Sequence, residues 1–365
     1  MKKKLLGILI LVAIVAFALS FRFLFPSSGG TAGQPDIFGR STDTVSGLIG
    51  SEKANFLENP ETKELLRKTG GLQVAYQRAG SIEMIGMDHV GKDFLWPSSQ
   101  VSLELYKLRG GTGQSTIIFN SPIVIYSWDV VVDALVAGGY AENRNGVYYI
   151  VRFRELIEHT LDGTTWNSIG LPQLYGRFSI ISTDPNKSNS GAQFAGLLAN
   201  MLAGEVATEK QIDTVSPQVR EFFDSLGLME HSTGTLFERY ITQGVGSYPL
   251  IVGYENGLIE FARQNPDIWP KVKDRMRILY PLPTVWSSHP LIALNEKGNR
   301  LIEVLTTQKF QELAWKEHGF RSGVPGTLND PIGLGIAGIA RDIEQVMPMP
   351  SPVIMEKLLL TIAGN

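Results

Sequence analysis

Five places along this 365-residue chain put serine, mostly beside glycine, asparagine or a second serine, directly behind a run of apolar residues. They are Gly50-Ser51 after "TVSGLI", Gly80-Ser81 after "LQVAYQRA", Ser98-Ser99 after "DFLWP", Ser127 after "SPIVIY", and Ser188-Asn189-Ser190-Gly191 after "RFSIISTDPNK". Taken singly, such a serine is a helix N-cap, its oxygen satisfying one of the free N–H groups of the first turn. Taken together, five helix starts offer hydroxyls, unpaired N–H donors and positive dipole ends. That set suits an anion or a polyhydroxy polar ligand held without a full counter-charge.

Other chemistries find little footing. The chain has no cysteine, which excludes disulfides, thiolate metal sites, thiol nucleophiles and a lipid anchor on an N-terminal Cys. His89, His159, His231, His289 and His318 are scattered without a His-x-x-x-His pair, so no metal site is expected. His289 in "SSHPL" reads as a polar residue at the mouth of a strand rather than a base. No G-x-S-x-G elbow supplies a nucleophile. "GLGIAG" at 333–338 follows "LNDP" where a dinucleotide fingerprint needs a strand, and "RGGTGQST" at 109–116 lacks the Lys-Ser/Thr of a phosphate loop and reads as a turn. The expectation is a binding protein rather than an enzyme, with no cofactor. Trp96, Trp128 and Trp286 adjoin the serine junctions and are candidates to wall a cleft, and Arg78 is the candidate charge partner.

The elements that must position these residues alternate short apolar runs with amphipathic stretches, the pattern of an α/β fold with largely parallel strands. In an open parallel sheet all strand-to-helix junctions share the edge where ligands bind, so the five serines are expected to converge. "RFSIIST" predicts a strand, and Phe194, Leu197, Leu198, Met201 and Leu202 mark one face of a helix starting near Ser188–Ser190. Further helices are predicted in "VRFRELIEHTL" and "IDTVSPQVREFFDSLGLM", then helix, strand and helix through "TLFERYITQGVGSYPLIVGYENGLIEFARQ", whose strand ends at Tyr254-Glu255-Asn256. "MRILYPLPTVWSSHPLIALN" is broken by Pro281 and Pro283 and cannot be one central strand.

At the start, Lys2, Lys3 and Lys4 precede an apolar run from Leu5 to Phe25. A run of that length predicts a membrane anchor over residues 1–25 with its N-terminus in the cytoplasm and the bulk of the chain extracytoplasmic. Ala18-Leu19-Ser20 offers a cleavage position, but the apolar Phe21–Phe25 favours retention. Residues 26–41, with "PSSGGTAGQP", read as a flexible tether. The chain's formal charge is −3, and residues 1–34 carry four positive charges and no acid, so the remainder stands at −7. That argues against nucleic acid or anionic lipid as the main partner.

In the order of these features the chain resembles the extracellular solute-binding proteins of the periplasmic-binding-protein type II fold, in the branch of phosphate, sulfate and molybdate binders. The features are Gly50-Ser51, Gly80-Ser81, "WPSS" at 96–99, "SPIVIYS" at 121–127, the polar loop from Thr183 to Gly191, Tyr254-Glu255-Asn256 and "YPLPTVWSSHPL" at 280–291. The resemblance implies two α/β lobes closing on a small polar or anionic solute, lobe one from 42–123 and 285–365, lobe two from 124–284. It implies Ser51, Ser81, Ser99 and Ser127 on the first lobe and its boundary, and Ser188, Asn189, Ser190, Tyr254 and Glu255 on the second. It further implies a monomer delivering solute to the permease of an ABC importer, or else a sensor or assembly module acting through a partner protein.

Overall fold

In the computed structural model, which describes residues 42–327 and 329–364, the backbone is organised by one long strand shared between two sheets. The strands are β1 (Asp43–Ile49), β2 (Leu72–Arg78), β3 (Phe94–Trp96), β4 (Ser115–Trp128), β5 (Ala141–Arg144), β6 (Val147–Ile150), β7 (Leu250–Tyr254), β8 (Met276–Pro281), β9 (Trp286–Ala293) and β10 (Arg321–Ser322). Helices that matter to the site are α1 (Gln100–Leu108), α2 (Asn189–Ala203), α3 (Glu209–Ser225), α4 (Glu255–Gln264), α5 (Gln308–His318) and α6 (Pro352–Ala363). The predicted anchor and tether lie outside the described residues. Among the described residues no helix is long and apolar enough to cross a membrane.

The first half of β4 pairs with β9 as far as Pro122, in a sheet ordered β2-β1-β3-β9-β4 with β10 beyond. From Ile123 onward β4 pairs with β7 on one side and β8 on the other, and β8 continues to β6 and β5. Each sheet has its own core. Val45, Ile49, Phe56, Phe94, Trp96, Phe119 and Leu291 fill the first, and Ile125, Phe153, Phe194, Leu198, Phe222, Leu250 and Leu279 the second. This is a two-lobed periplasmic-binding-protein type II arrangement. The chain crosses between the sheets in β4 and again at residues 282–285, where Pro283 follows the end of β8 at Pro281 and precedes β9.

Three expectations need correction. Among the described strands only β1 with β2 and β3, and β6 with β8, pair in parallel; β4 is antiparallel to every partner it has among the described residues. "RFSIIST" forms no strand but two isolated bridges, Arg177 to Thr165 and Ile181 to Ile251, and it ends where Asp184 caps Asn186 in a tight turn and Pro185 has no N–H to extend a ladder. The C-terminal segment was expected in lobe one. Instead α6 packs on the second core through Ile354, Met355, Leu358 and Ile362, after the chain passes Thr284, whose N–H donates to the Gln345 carbonyl at 2.9 Å.

Candidate functional site

The carboxyl ends of the parallel strands β2, β1 and β3 bring three of the serine junctions together. The Ser98 N–H donates to Ser81 Oγ at 2.9 Å, and the Gly50 N–H donates to the Trp96 carbonyl at 3.1 Å. A Cβ on Gly50 would lie 2.4 Å from Ser98 Oγ and 2.9 Å from Lys53 Nζ, so the close approach of these turns requires glycine. Trp96 is fully buried in the first core, on the inner side of this edge.

Beneath the edge lies Lys53, with 0% of its surface exposed. Its ammonium donates to Glu52 Oε1 at 2.5 Å, to Ser98 Oγ at 2.7 Å and to His289 Nδ1 at 3.2 Å, which uses all three N–H groups. It also stands 5.8 Å from the centroid of the Trp96 ring. Burial lowers the Lys53 pKa, with the Glu52 carboxylate opposing that drop. Burial, and then the Lys53 charge, hold His289 well below the usual imidazole value of 6.5, so the ring is neutral. With Nδ1 accepting from Lys53, the ring proton sits on Nε2 and points to Ser287 Oγ at 3.3 Å; that hydroxyl donates in turn to the Ser98 carbonyl at 2.8 Å.

The second lobe reaches the same carbonyl. Asn189 Nδ2 and Gln193 Nε2, one turn apart on α2, donate to Ser98 O at 3.0 and 2.9 Å. Asn189 Nδ2 also donates to the Tyr254 hydroxyl at 3.0 Å. Tyr254 ends β7 and is buried; burial raises its pKa, and the charge of Glu52 adds to the rise. Behind Asn189 the hydroxyls of Thr183, Ser188, Ser190 and Thr233 gather, with Ser190 Oγ 2.6 Å from Thr233 Oγ1 and 3.0 Å from Thr183 Oγ1. Ser188 is the N-cap of α2 but makes no capping bond with its side chain. Gly191 lets the helix start sit against the loop, since a Cβ there would lie 2.4 Å from the Thr183 carbonyl.

The structure thus collects Gly50, Ser81, Ser98, Asn189, Ser190, Gly191 and Tyr254 at one polar seam between the lobes, with Ser188 beside it. It does not gather the others. Ser51 and Gly80 are exposed, Gly80 N–H donating to Glu83 Oε2. Ser99 caps α1 through the Val101 N–H. Ser127 donates to the Pro249 carbonyl at 2.8 Å inside the second core. The reason is strand direction: β4 runs antiparallel to β7, so Ser127 faces Leu250 while Tyr254 faces Ile123 at the crossing. Glu255 turns away from the seam to a buried pair with Arg321, Nε to Oε2 at 2.6 Å and Nη2 to Oε1 at 2.8 Å, and accepts the Tyr280 hydroxyl. Arg78 is exposed, and Trp128 belongs to the second core.

Lys53 and His289 were not among the expected site residues, although both left a signal. Lys53 sits three and four residues before Phe56 and Leu57, the spacing of one buried helical face. His289 lies in β9, a strand buried on both faces from Ser287 onward, where any polar side chain must find an internal partner. Among the described residues no group of three His, Asp or Glu gathers in metal-binding proximity.

No protein-family model matches the sequence, and no curated protein matches it either. Solved structures do. A substrate-binding protein of an ABC transporter from Agrobacterium tumefaciens superposes with a TM-score of 0.57 at 14% identity, over 90% of this chain and 95% of that one. The apo ferric ion-binding protein A of Pasteurella haemolytica gives 0.55 at 13%, over 88% and 96%. A two-component system protein of signal transduction gives 0.51 at 15%, over 88% and 100%. The chain has the fold of these proteins, the two-lobed periplasmic-binding-protein type II fold.

Proposed function

We propose that the chain is an extracytoplasmic solute-binding protein that closes its lobes on a small polar or anionic solute and passes it to the permease of an ABC importer, held at the membrane by residues 1–25. The observation that carries this reading is the Ser98 carbonyl. It collects donors from Ser287 of the first lobe and from Asn189 and Gln193 of the second, so the lobes meet through polar groups that a bound solute would satisfy instead. In this reading the lobes divide near residues 123 and 285, where the chain changes sheets, and the hinge lies there. A buried ammonium at the seam suits an anion better than a bare metal cation, so the oxyanion reading of the sequence is kept and ferric ion is not.

The test is native mass spectrometry of the protein from its own host for a co-purified small molecule, followed by calorimetric titration of that molecule. Ser190→Ala is expected to weaken binding several-fold with the fold intact, each neutral hydrogen bond contributing about 1 kcal/mol. Equal affinity in the variant would count against the seam as the binding place. A second reading, an extracytoplasmic sensor signalling through a partner, is favoured by the likeness to the two-component protein. A permease encoded next to this chain would separate the two.

A further inference from the structure

The carboxylate of Glu52 occupies the position that an acidic solute would need. It lies in the short turn Ser51–Lys53 at the end of β1, and its side chain is 18% exposed while those of its partners are closed off. Its Oε1 is 2.5 Å from Lys53 Nζ and 3.6 Å from His289 Nδ1, and its charge is felt by Tyr254 on the opposite lobe. Lys53, Ser98, His289 and Tyr254, which surround it, are each at least nine-tenths buried, so a built pocket for negative charge is already filled by the chain itself. A second observation comes from across the seam. Gln193 is 1% exposed, and its Oε1 has no partner, although its Nε2 is fixed on Ser98 O.

We infer that Glu52 is a built-in competitor for the solute: an incoming carboxylate or phosphate takes its place on Lys53, and the Glu52 side chain moves to the solvent it already borders. The inference rests on the solute-binding reading above and narrows it to an acid. Two negative groups cannot share one buried ammonium without mutual repulsion, so binding and release of Glu52 are coupled. The vacant Gln193 acceptor then calls for a hydroxyl or N–H donor on the same solute, as on a hydroxy acid or a monoprotonated phosphate.

The test is calorimetric titration of the full chain with citrate and, separately, with inorganic phosphate, which distinguishes carboxylate from phosphate recognition. E52Q is expected to bind at least one of them about tenfold more tightly than the unaltered protein, and K53M neither. The melting temperature of E52Q, lowered because Lys53 loses its counter-charge, is expected to recover when the acid is added. Should E52Q fail to fold, E52D keeps the charge but withdraws it by one methylene, and an intermediate gain is expected. Equal or weaker binding by E52Q, or by E52D in its stead, overturns the inference, as does the absence of binding by every form. N189A keeps the two readings apart. If it weakens binding while E52Q changes nothing, the seam stands and the role of Glu52 falls; if neither changes affinity, both fall.

Discussion

A lysine with no exposed surface is tolerated when each of its N–H groups has an acceptor, and at Lys53 the third acceptor is a histidine that must stay unprotonated. That fixes a pH dependence. The folded pKa of His289 lies below 6.5, so as pH falls through 6.5 the unfolded chain binds a proton that the folded one refuses. The stability is complete above that value and declines below it, by up to about 1.4 kcal/mol per pH unit until the folded pKa is reached. Melting curves between about pH 7 and about pH 5 are expected to show the decline, and His289→Gln to flatten it. Gly191 gives a second prediction at this scale. Gly191→Val drives a side chain into the Thr183 carbonyl and is expected to lower the unfolding free energy by about 1–3 kcal/mol in urea, well beyond the effect of Ser190→Ala. The glycine and serine positions were legible as residue types near helix starts. What the sequence could not display was which hydroxyls turn inward, since Ser98 and Ser99 are neighbours, yet the first joins the seam while the second caps its own helix.

Among the elements, α2 was the most legible: its apolar spacing and N-cap predict a start near Ser188–Ser190, and the helix begins at Asn189. The direction of β4 was not. Apolar runs of similar length look alike whether parallel or antiparallel, and only pairing with β7 and β8 reveals that Ser127 lies at the far end from the crossing. The pair that ties the lobes together was hidden for another reason: Glu255 and Arg321 are 66 residues apart. Their pair joins α4 to β10, while the Arg321 guanidinium also donates to the carbonyls of Ala340 and Arg341. Arg321→Met alone leaves a buried carboxylate uncompensated and is expected to cost about 3–5 kcal/mol. A double variant with Glu255→Leu as well is expected to recover much of it, as equilibrium unfolding would show.

At the scale of the molecule, the two-lobed fold followed from the order of elements, whereas the placement of the C-terminus did not. Nothing in "PSPVIMEKLLLTIAG" says which core it joins; its apolar face fits either, and the choice is made by the segment that pairs with Thr284 on the way. Because α6 buries Ile354, Met355, Leu358 and Ile362, each contributing about 1.5–3 kcal/mol, ending the chain before Pro352 is expected to uncover the second core. A lowered melting temperature and increased binding of a hydrophobic dye would register that exposure.

The position of β9 between β3 and β4 has a consequence for how the chain matures during synthesis. When residues up to about 128 have left the ribosome, β3 and β4 each present a bare edge toward a gap that only Trp286–Ala293 can fill. The strands of the second sheet, by contrast, lie within one uninterrupted stretch from Ile123 to Pro281 and can assemble as it emerges. Roughly 160 residues of translation, some 8–30 s at ordinary elongation rates, therefore separate the appearance of those edges from their closure. Over that interval the segment 43–128 carries two open strand edges, the surfaces on which chains pair with one another.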